Sequence, residues 1–167
     1  PPAAPEAQPK APSAPAAPST DSAGLNRLES DLAALSIQIE RLAPDRIRTD
    51  FSRLIQFRDG SVALDDDARA LLARFAERLK DDERLRIHVV THTDSRGLAS
   101  NNQVLSERRA ADIALILRLN GISESRITHE GKGMSEPKFS REEEQRLGSW
   151  INRRVEIDLI ETNDEAL

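Results

Sequence analysis

The stretch from Thr91 to Arg109, THTDSRGLASNNQVLSERR, joins the end of a predicted strand to a predicted helix. β-Branched residues precede it, and the helix is expected from about Asn101 to Leu119. In an α/β unit, the carboxyl end of a strand and the amino end of the next helix form a ligand-binding crevice. Asp94 and Arg109 lie on either side of this joint, and a carboxylate paired with a guanidinium can hold a zwitterion. They are fifteen residues apart, so chain geometry alone does not show that they meet.

The composition is that of an acidic protein, with a net charge of −5 and 38% hydrophobic residues. A nucleic-acid partner would need a basic face, so the charge argues against one. The absence of cysteine excludes a disulfide scaffold and a cysteine-ligated zinc site. No run of about 18 apolar residues occurs, so we expect membrane attachment only through a segment absent from this chain.

Catalytic and metal-binding motifs are also absent from the sequence. His88 and His92 share one face of a predicted strand but are about 13 Å apart, too far to share a metal ion. The serines near the joint lack the spacing of a nucleophile with its base. We therefore expect no metal, no cofactor and no enzymatic activity.

The chain divides by composition into four parts. Residues 1–20 are rich in proline and alanine and are expected to be a disordered linker. Residues 21–44 carry apolar residues at alternating spacings of three and four, which predicts an amphipathic heptad helix. This helix either forms a homodimer through residues 25–42 or docks on the neighbouring domain, and Ile37, apolar but off the seam, slightly favours docking. Residues 45–160 form the predicted globular domain, and 161–167 an acidic tail.

The globular part is predicted as a two-layer α/β sandwich with a mixed β-sheet packed on helices, in a β-α-β-α-β-β arrangement. The predicted strands span residues 53–58, 85–91, 126–130 and 154–160, and the helices span 65–79, 101–119 and, started by a capping box at Ser140, 141–147.

Several short elements in order resemble the signature of the OmpA-like C-terminal domain. They are the Thr93-Asp94 pair, Asn102, LSERRA at 105–110, Gly121-Ile122, Gly131-Lys132-Gly133, and NRRVEI at 152–157. The resemblance covers roughly residues 50–160. It implies a non-catalytic domain that binds peptidoglycan in the periplasm of diderm bacteria and recognises the diaminopimelate of the stem peptide.

The resemblance also implies roles for individual residues. Asp94, with Thr93 beside it, would bind the ligand's ammonium, and Arg109 rather than its neighbour Arg108 would bind a carboxylate. Asn102 would either contact the ligand or cap the helix. Thr91 stands where the family usually has glycine, so its Cβ is expected to narrow the approach to the site.

Two further side chains are candidates for the wall of this site. Arg153 and Arg154 alternate across the faces of the last strand, so only one can point toward the site. The family pattern favours Arg153, with a structural ion pair as the equal alternative. His92 precedes the Thr93-Asp94 pair and is expected to line the crevice.

The expected function is to anchor an outer-membrane or envelope complex to the cell wall. The alternative is an oligomeric, stator-like periplasmic subunit in which the N-terminal helix mediates assembly and wall binding is weak or absent.

Overall fold

The computed structural model describes residues 22–162, so the predicted linker at 1–20 and the tail beyond 162 lie outside the described residues. The helices are α1 (Ser22–Ala33), α2 (Asp66–Leu79), α3 (Ala99–Leu119) and α4 (Arg141–Leu147). The strands are β1 (Gln38–Ala43), β2 (Arg46–Asp50), β3 (Leu85–His92), β4 (Ile127–Gly133) and β5 (Arg154–Glu161). Glu161, assigned to the tail by composition, is the last residue of β5.

A five-stranded mixed sheet in the order β1-β2-β5-β3-β4 packs against the helices. β3 and β4 are parallel, and the other neighbouring strands are antiparallel. This confirms the predicted fold class, with β1 as an additional strand at one edge. One hydrophobic core joins the inner face of the sheet to α1, α2 and α3. Because β3 and α3 both pack in this core, the loop that joins them, which carries part of the predicted site, is anchored at both of its ends.

The alternation predicted for β5 divides its side chains between two different environments. Val155, Ile157 and Leu159 belong to the hydrophobic core. The opposite side of the sheet, which we call the charged face, carries Arg154, Glu156 and Asp158 of β5, Arg46 and Arg48 of β2, and His92 of β3. Asp158 accepts hydrogen bonds from Arg46 at 2.6 Å and Arg48 at 2.7 Å, so its buried charge is compensated by ion pairs.

The charged face makes folding sensitive to acid. Burial alone would raise the pKa of Glu156, but His92 at 3.5 Å and the nearby Arg154 and Arg48 outweigh it and lower the pKa to about 2. A carboxylate with a lowered folded-state pKa stabilises the protein above its unfolded-state pKa, and this stabilisation is lost as the pH falls through the folded value. We expect the free energy of unfolding to decrease from about pH 4.5 toward pH 2.

Urea titrations at several pH values check this expectation. Glu156→Gln should show a weaker dependence of unfolding free energy on pH in this window, whereas the exposed Glu142→Gln should behave as the wild type. An unchanged pH dependence in Glu156→Gln would contradict the assigned role of this carboxylate.

The prediction of a helix over residues 21–44 is wrong beyond Ala33. The helix ends there, Ser36 adopts a left-handed φ of 61°, and the chain reverses into β1. Leu25, Leu28 and Leu32 are buried in the core of the same chain, as is Ile37. The seam predicted to form a homodimer is thus divided between a docked helix and an edge strand, and only Leu42 at its end is strongly exposed. The structure agrees with the docking alternative.

The predicted strand at residues 53–58 is also wrong. The strand lies earlier, at β2, and residues 51–65 form a connection to α2. Phe51, Ile55 and Phe57 are nevertheless buried, because this connection folds back on the core. A turn at Phe51, whose carbonyl accepts from the amides of Leu54 and Ile55, replaces the expected sheet pairing.

Candidate functional site

A pocket of about 350 Å³ opens where β3 ends, beside the start of α3. Five of the six predicted site residues line it: Thr93, Asp94, Asn102, Arg109 and Arg153. Its other walls come from the connection before α2, the loop before α3 and the first turns of α3, and they include Asp59, Gly60, Arg96, Gly97, Asn101 and Leu105. We call this the acid–guanidinium pocket. The crevice expected at the joint between strand and helix is therefore present.

Arg109 is a buried cation without an acidic partner. It is 2% exposed, and within residues 22–162 no salt bridge joins it to a carboxylate. Its Nε donates to the carbonyl of Ser61 at 2.8 Å and its Nη2 to that of Arg58 at 3.1 Å, while the guanidinium lies 4.4 Å from the ring centre of Phe57. Burial, with a contribution from Arg153, lowers the pKa of Arg109 to about 10.

The remaining nitrogen of Arg109, Nη1, makes no hydrogen bond with any described residue. Two of the three guanidinium nitrogens hold the connection that carries Asp59 and Gly60, and the third, Nη1, is free in the pocket wall. A ligand carboxylate would supply both the missing acceptor and the missing negative charge. Such ionic hydrogen bonds contribute about 1.5–3 kcal/mol.

Asp94 is the buried acid of the pocket and is 6% exposed. It accepts from the Arg96 backbone amide at 3.0 Å and from Arg96 Nη2 at 3.0 Å, and Arg153 Nε lies 3.6 Å away. Arg96 and Arg153 both also contact Asp59, at 2.9 and 2.7 Å. Two carboxylates thus face three guanidiniums in the pocket, so an added ligand carboxylate improves the charge balance.

Thr93 and Asn102 fix the backbone around Asp94. The Thr93 amide donates to the carbonyl of Gly133 at 2.9 Å, and its hydroxyl donates to the Asp94 carbonyl at 3.1 Å. The side-chain nitrogen of Asn102, Nδ2, donates to the backbone carbonyl of Arg96 at 2.8 Å. The residue at the N-cap position of α3 is Leu98, so Asn102 braces the loop and does not cap the helix.

Arg153 and Arg154 point to opposite sides of the sheet, as their alternation predicts. Arg153 lines the acid–guanidinium pocket, and Arg154 lies on the charged face, where its Nε is 3.2 Å from Glu156. Both alternatives for Arg153 apply, because the side chain that reaches the pocket also forms the ion pair with Asp59 there.

His92 does not line this pocket. It is the last residue of β3, and the alternation of the strand directs it to the charged face, where it is buried beside Glu156. The expectation for Thr91 is also wrong. This side chain is 1% exposed, and its hydroxyl donates to the Ser106 carbonyl of α3 at 2.7 Å. Its Cβ therefore packs between strand and helix and leaves the approach to the pocket open.

Sequence reasoning missed three charged residues that organise the site: Asp59, Arg96 and Glu144. The Asp59-Gly60 pair had the form of an ordinary turn, and Arg96 had the form of a solvated loop residue. Arg96 follows Asp94 by two residues, and an aspartate side chain in a loop commonly accepts from the backbone amide two residues later. This spacing was the available sequence signal for the contact between Asp94 and Arg96. Nothing in the sequence indicates that Asp59 reaches the pocket.

Glu144 supports the loop from behind. It is 5% exposed and accepts from the Ser95 amide at 3.0 Å and the Ser95 hydroxyl at 2.7 Å. The side chain of Asn152 donates to the same carboxylate at 2.6 Å. Burial acts to raise the pKa of Glu144, but the hydrogen bonds from Asn152 and Ser95 outweigh it, so the net pKa is lowered. This fixed carboxylate holds the residue next to Asp94.

Comparison with known proteins identifies the family. The model of the OmpA family matches residues 56–147, more than half of the chain. Outer membrane protein A of Bordetella avium is 35% identical over 121 residues, which make up 72% of this chain and 61% of that protein. The peptidoglycan-associated lipoprotein of Legionella pneumophila is 38% identical over 82 residues, covering 49% of this chain and 46% of that protein.

Among solved structures, that of the cell wall anchor of the T6SS from Pseudomonas aeruginosa superposes with a TM-score of 0.62. It is 29% identical, and the match covers 81% of this chain and 95% of that chain. The chain therefore belongs to the OmpA family, a family of structural, non-catalytic domains. It spans about three fifths of the first relative's length and under half of the second's.

Proposed function

We propose that this chain binds peptidoglycan without catalysis, through the diaminopimelate of the stem peptide, and so anchors an envelope complex to the cell wall. The observation that carries the proposal is Arg109, a buried guanidinium with no acidic partner among residues 22–162, in the same pocket as Asp94. A buried cation without a counter-charge is costly unless a bound anion completes it.

The chemistry of the free end of diaminopimelate matches the pocket. This end carries an ammonium and a carboxylate on one carbon atom. The carboxylate would accept from Nη1 of Arg109, and the ammonium would donate to Asp94, where it competes with the half-exposed Arg96. Each ionic hydrogen bond forms with one end of the ligand only, so the pair also fixes the ligand's orientation.

The relatives support the same proposal through what their names state. One is called peptidoglycan-associated, another is an outer membrane protein, and one solved relative is a cell wall anchor. Peptidoglycan lies in the periplasm of diderm bacteria, and we infer that compartment for this chain. Within residues 22–162, no helix is long and apolar enough to cross a membrane.

Binding to purified peptidoglycan sacculi tests the proposal through Asp94→Asn. The substitution keeps the shape of the side chain and removes the charge that would bind the ammonium. We expect about a tenfold loss or more of affinity in a co-sedimentation assay, because the ammonium would then donate to an uncharged amide oxygen and not to a carboxylate.

Asp81→Asn is the matched control, because Asp81 is exposed and lies outside the pocket. It should bind sacculi as the wild type does. Equal binding by Asp94→Asn and wild type would refute this use of the pocket.

A further inference from the structure

A second cleft adjoins the acid–guanidinium pocket. It has a volume of about 470 Å³, and the two cavities share Arg96 and Gly97 as lining residues. Its far wall is formed by Arg141 and Gln145 of α4 and by Ser149. We call it the Arg141 cleft. Because the two cavities share a wall, a ligand bound at Asp94 and Arg109 can extend from one into the other.

Three hydrogen-bond donors in the Arg141 cleft have no partner within the described part of the chain. The guanidinium of Arg141, the amide of Gln145 and the hydroxyl of Ser149 make no hydrogen bond or ion pair with any residue from 22 to 162. By contrast, the arginines of the neighbouring pocket, Arg96 and Arg153, are both engaged with Asp59 and Asp94. Unlike Arg96 and Arg153, Arg141 has no carboxylate partner among residues 22–162, so its guanidinium can bind an anion.

The acid in the wall of the cleft does not fill this role for Arg141. The carboxylate of Glu144 already accepts from Ser95 and Asn152 through both oxygens. It serves as a fixed support of the wall, and Arg141 is left for an external acceptor.

We propose that the Arg141 cleft binds a second carboxylate of the stem peptide, that of the glutamate residue preceding diaminopimelate. This inference rests on the proposed function. The glutamate is linked to diaminopimelate through its side chain, so its α-carboxylate is free. About nine bonds separate the glutamate α-carbon from the diaminopimelate carbon that carries the free ammonium and carboxylate, roughly 11 Å when extended, so the ligand is long enough to reach across the common wall of the two cavities. Arginine is suited to the carboxylate because its planar fork can bind it bidentately.

Calorimetric titration with two peptides tests this second contact. One is L-Ala-γ-D-Glu-meso-diaminopimelate, and the other carries D-isoglutamine, which replaces the free carboxylate by a carboxamide. We expect the wild type to bind the first about tenfold more tightly, because the guanidinium of Arg141 binds a carboxylate more strongly than an uncharged carboxamide. Arg141→Ala should bind both peptides equally, at the affinity that the wild type shows for the carboxamide peptide.

Arg146→Ala provides the control, because Arg146 is an exposed arginine of α4 outside the cleft. It should keep the tenfold preference. Equal binding of the two peptides by the wild type, or a preference retained in Arg141→Ala, would overturn the second contact while leaving the first intact. Failure of the wild type to bind either peptide, or binding unaffected by Asp94→Asn, would overturn the proposed function and this inference with it.

Discussion

Arg109→Met is expected to lower the affinity for peptidoglycan by about 100-fold, because a buried ionic hydrogen bond of about 3 kcal/mol is lost. Methionine retains much of the volume that packs over Phe57, but it donates no hydrogen bond to a ligand or to the carbonyls of Ser61 and Arg58. Removing a buried, unpaired charge offsets part of the cost of the two lost backbone contacts. We therefore expect the free energy of unfolding to change by less than about 2 kcal/mol.

The neighbouring arginine supplies the control for this prediction. Arg108 is exposed on the same turn of α3, and Arg108→Met should bind peptidoglycan as the wild type does. Sacculus co-sedimentation reports the affinity, and urea titration reports stability. An Arg109→Met protein that is folded and still binds fully would exclude Arg109 as the carboxylate site.

Gly131→Ala is expected to destabilise the fold by about 3 kcal/mol, at the upper end of the usual range for an overpacked core. A Cβ at Gly131 would lie 2.2 Å from the backbone nitrogen of Glu107 and 2.5 Å from the carbonyl carbon of Ser106. Both atoms are backbone of α3, so relief requires the helix to move away from β4. Because α3 also carries Asn102 and Arg109, we expect weaker peptidoglycan binding as well.

His129→Ala tests whether this effect is specific to the close approach of helix and strand. His129 is exposed on the same strand, and its replacement should change the free energy of unfolding by no more than about 0.5 kcal/mol. Thermal and urea unfolding followed by circular dichroism would measure both variants. A Gly131→Ala protein as stable as the wild type would contradict the tight packing of α3 on β4.

The fold was predictable wherever local pattern and tertiary packing agree. The helix that became α2 has an acidic start, and Asp65 does cap it by accepting from the Ala68 amide. The N-terminal heptad failed because spacings of three and four also suit a short helix followed by a strand that share one core. Only the turn at Ser36 separates the two, and no glycine or proline marks it in the sequence.

The site was predictable in its principal charges and not in its supporting contacts. Asp94, Arg109 and Arg153 could be named because a family resemblance assigns them to ordered motifs. Asp59 could not be named, since it reaches the pocket through tertiary contacts: Arg109 holds the connection around it, and Arg96 and Arg153 bind its carboxylate. His92 was wrongly expected in the pocket. Successive side chains of a strand point to opposite faces of the sheet, and a shift of one residue exchanges the faces, so His92 lies on the charged face.

The most direct test of the central claim compares two ligands that differ only in the group assigned to Arg109. The peptide L-Ala-γ-D-Glu-L-Lys lacks the terminal carboxylate of its diaminopimelate counterpart but keeps the ammonium. Calorimetric titration of the wild type should show the diaminopimelate peptide binding about 100-fold more tightly, a difference that Arg109→Met removes. Equal affinity of the wild type for the two peptides would contradict recognition of diaminopimelate by this pocket.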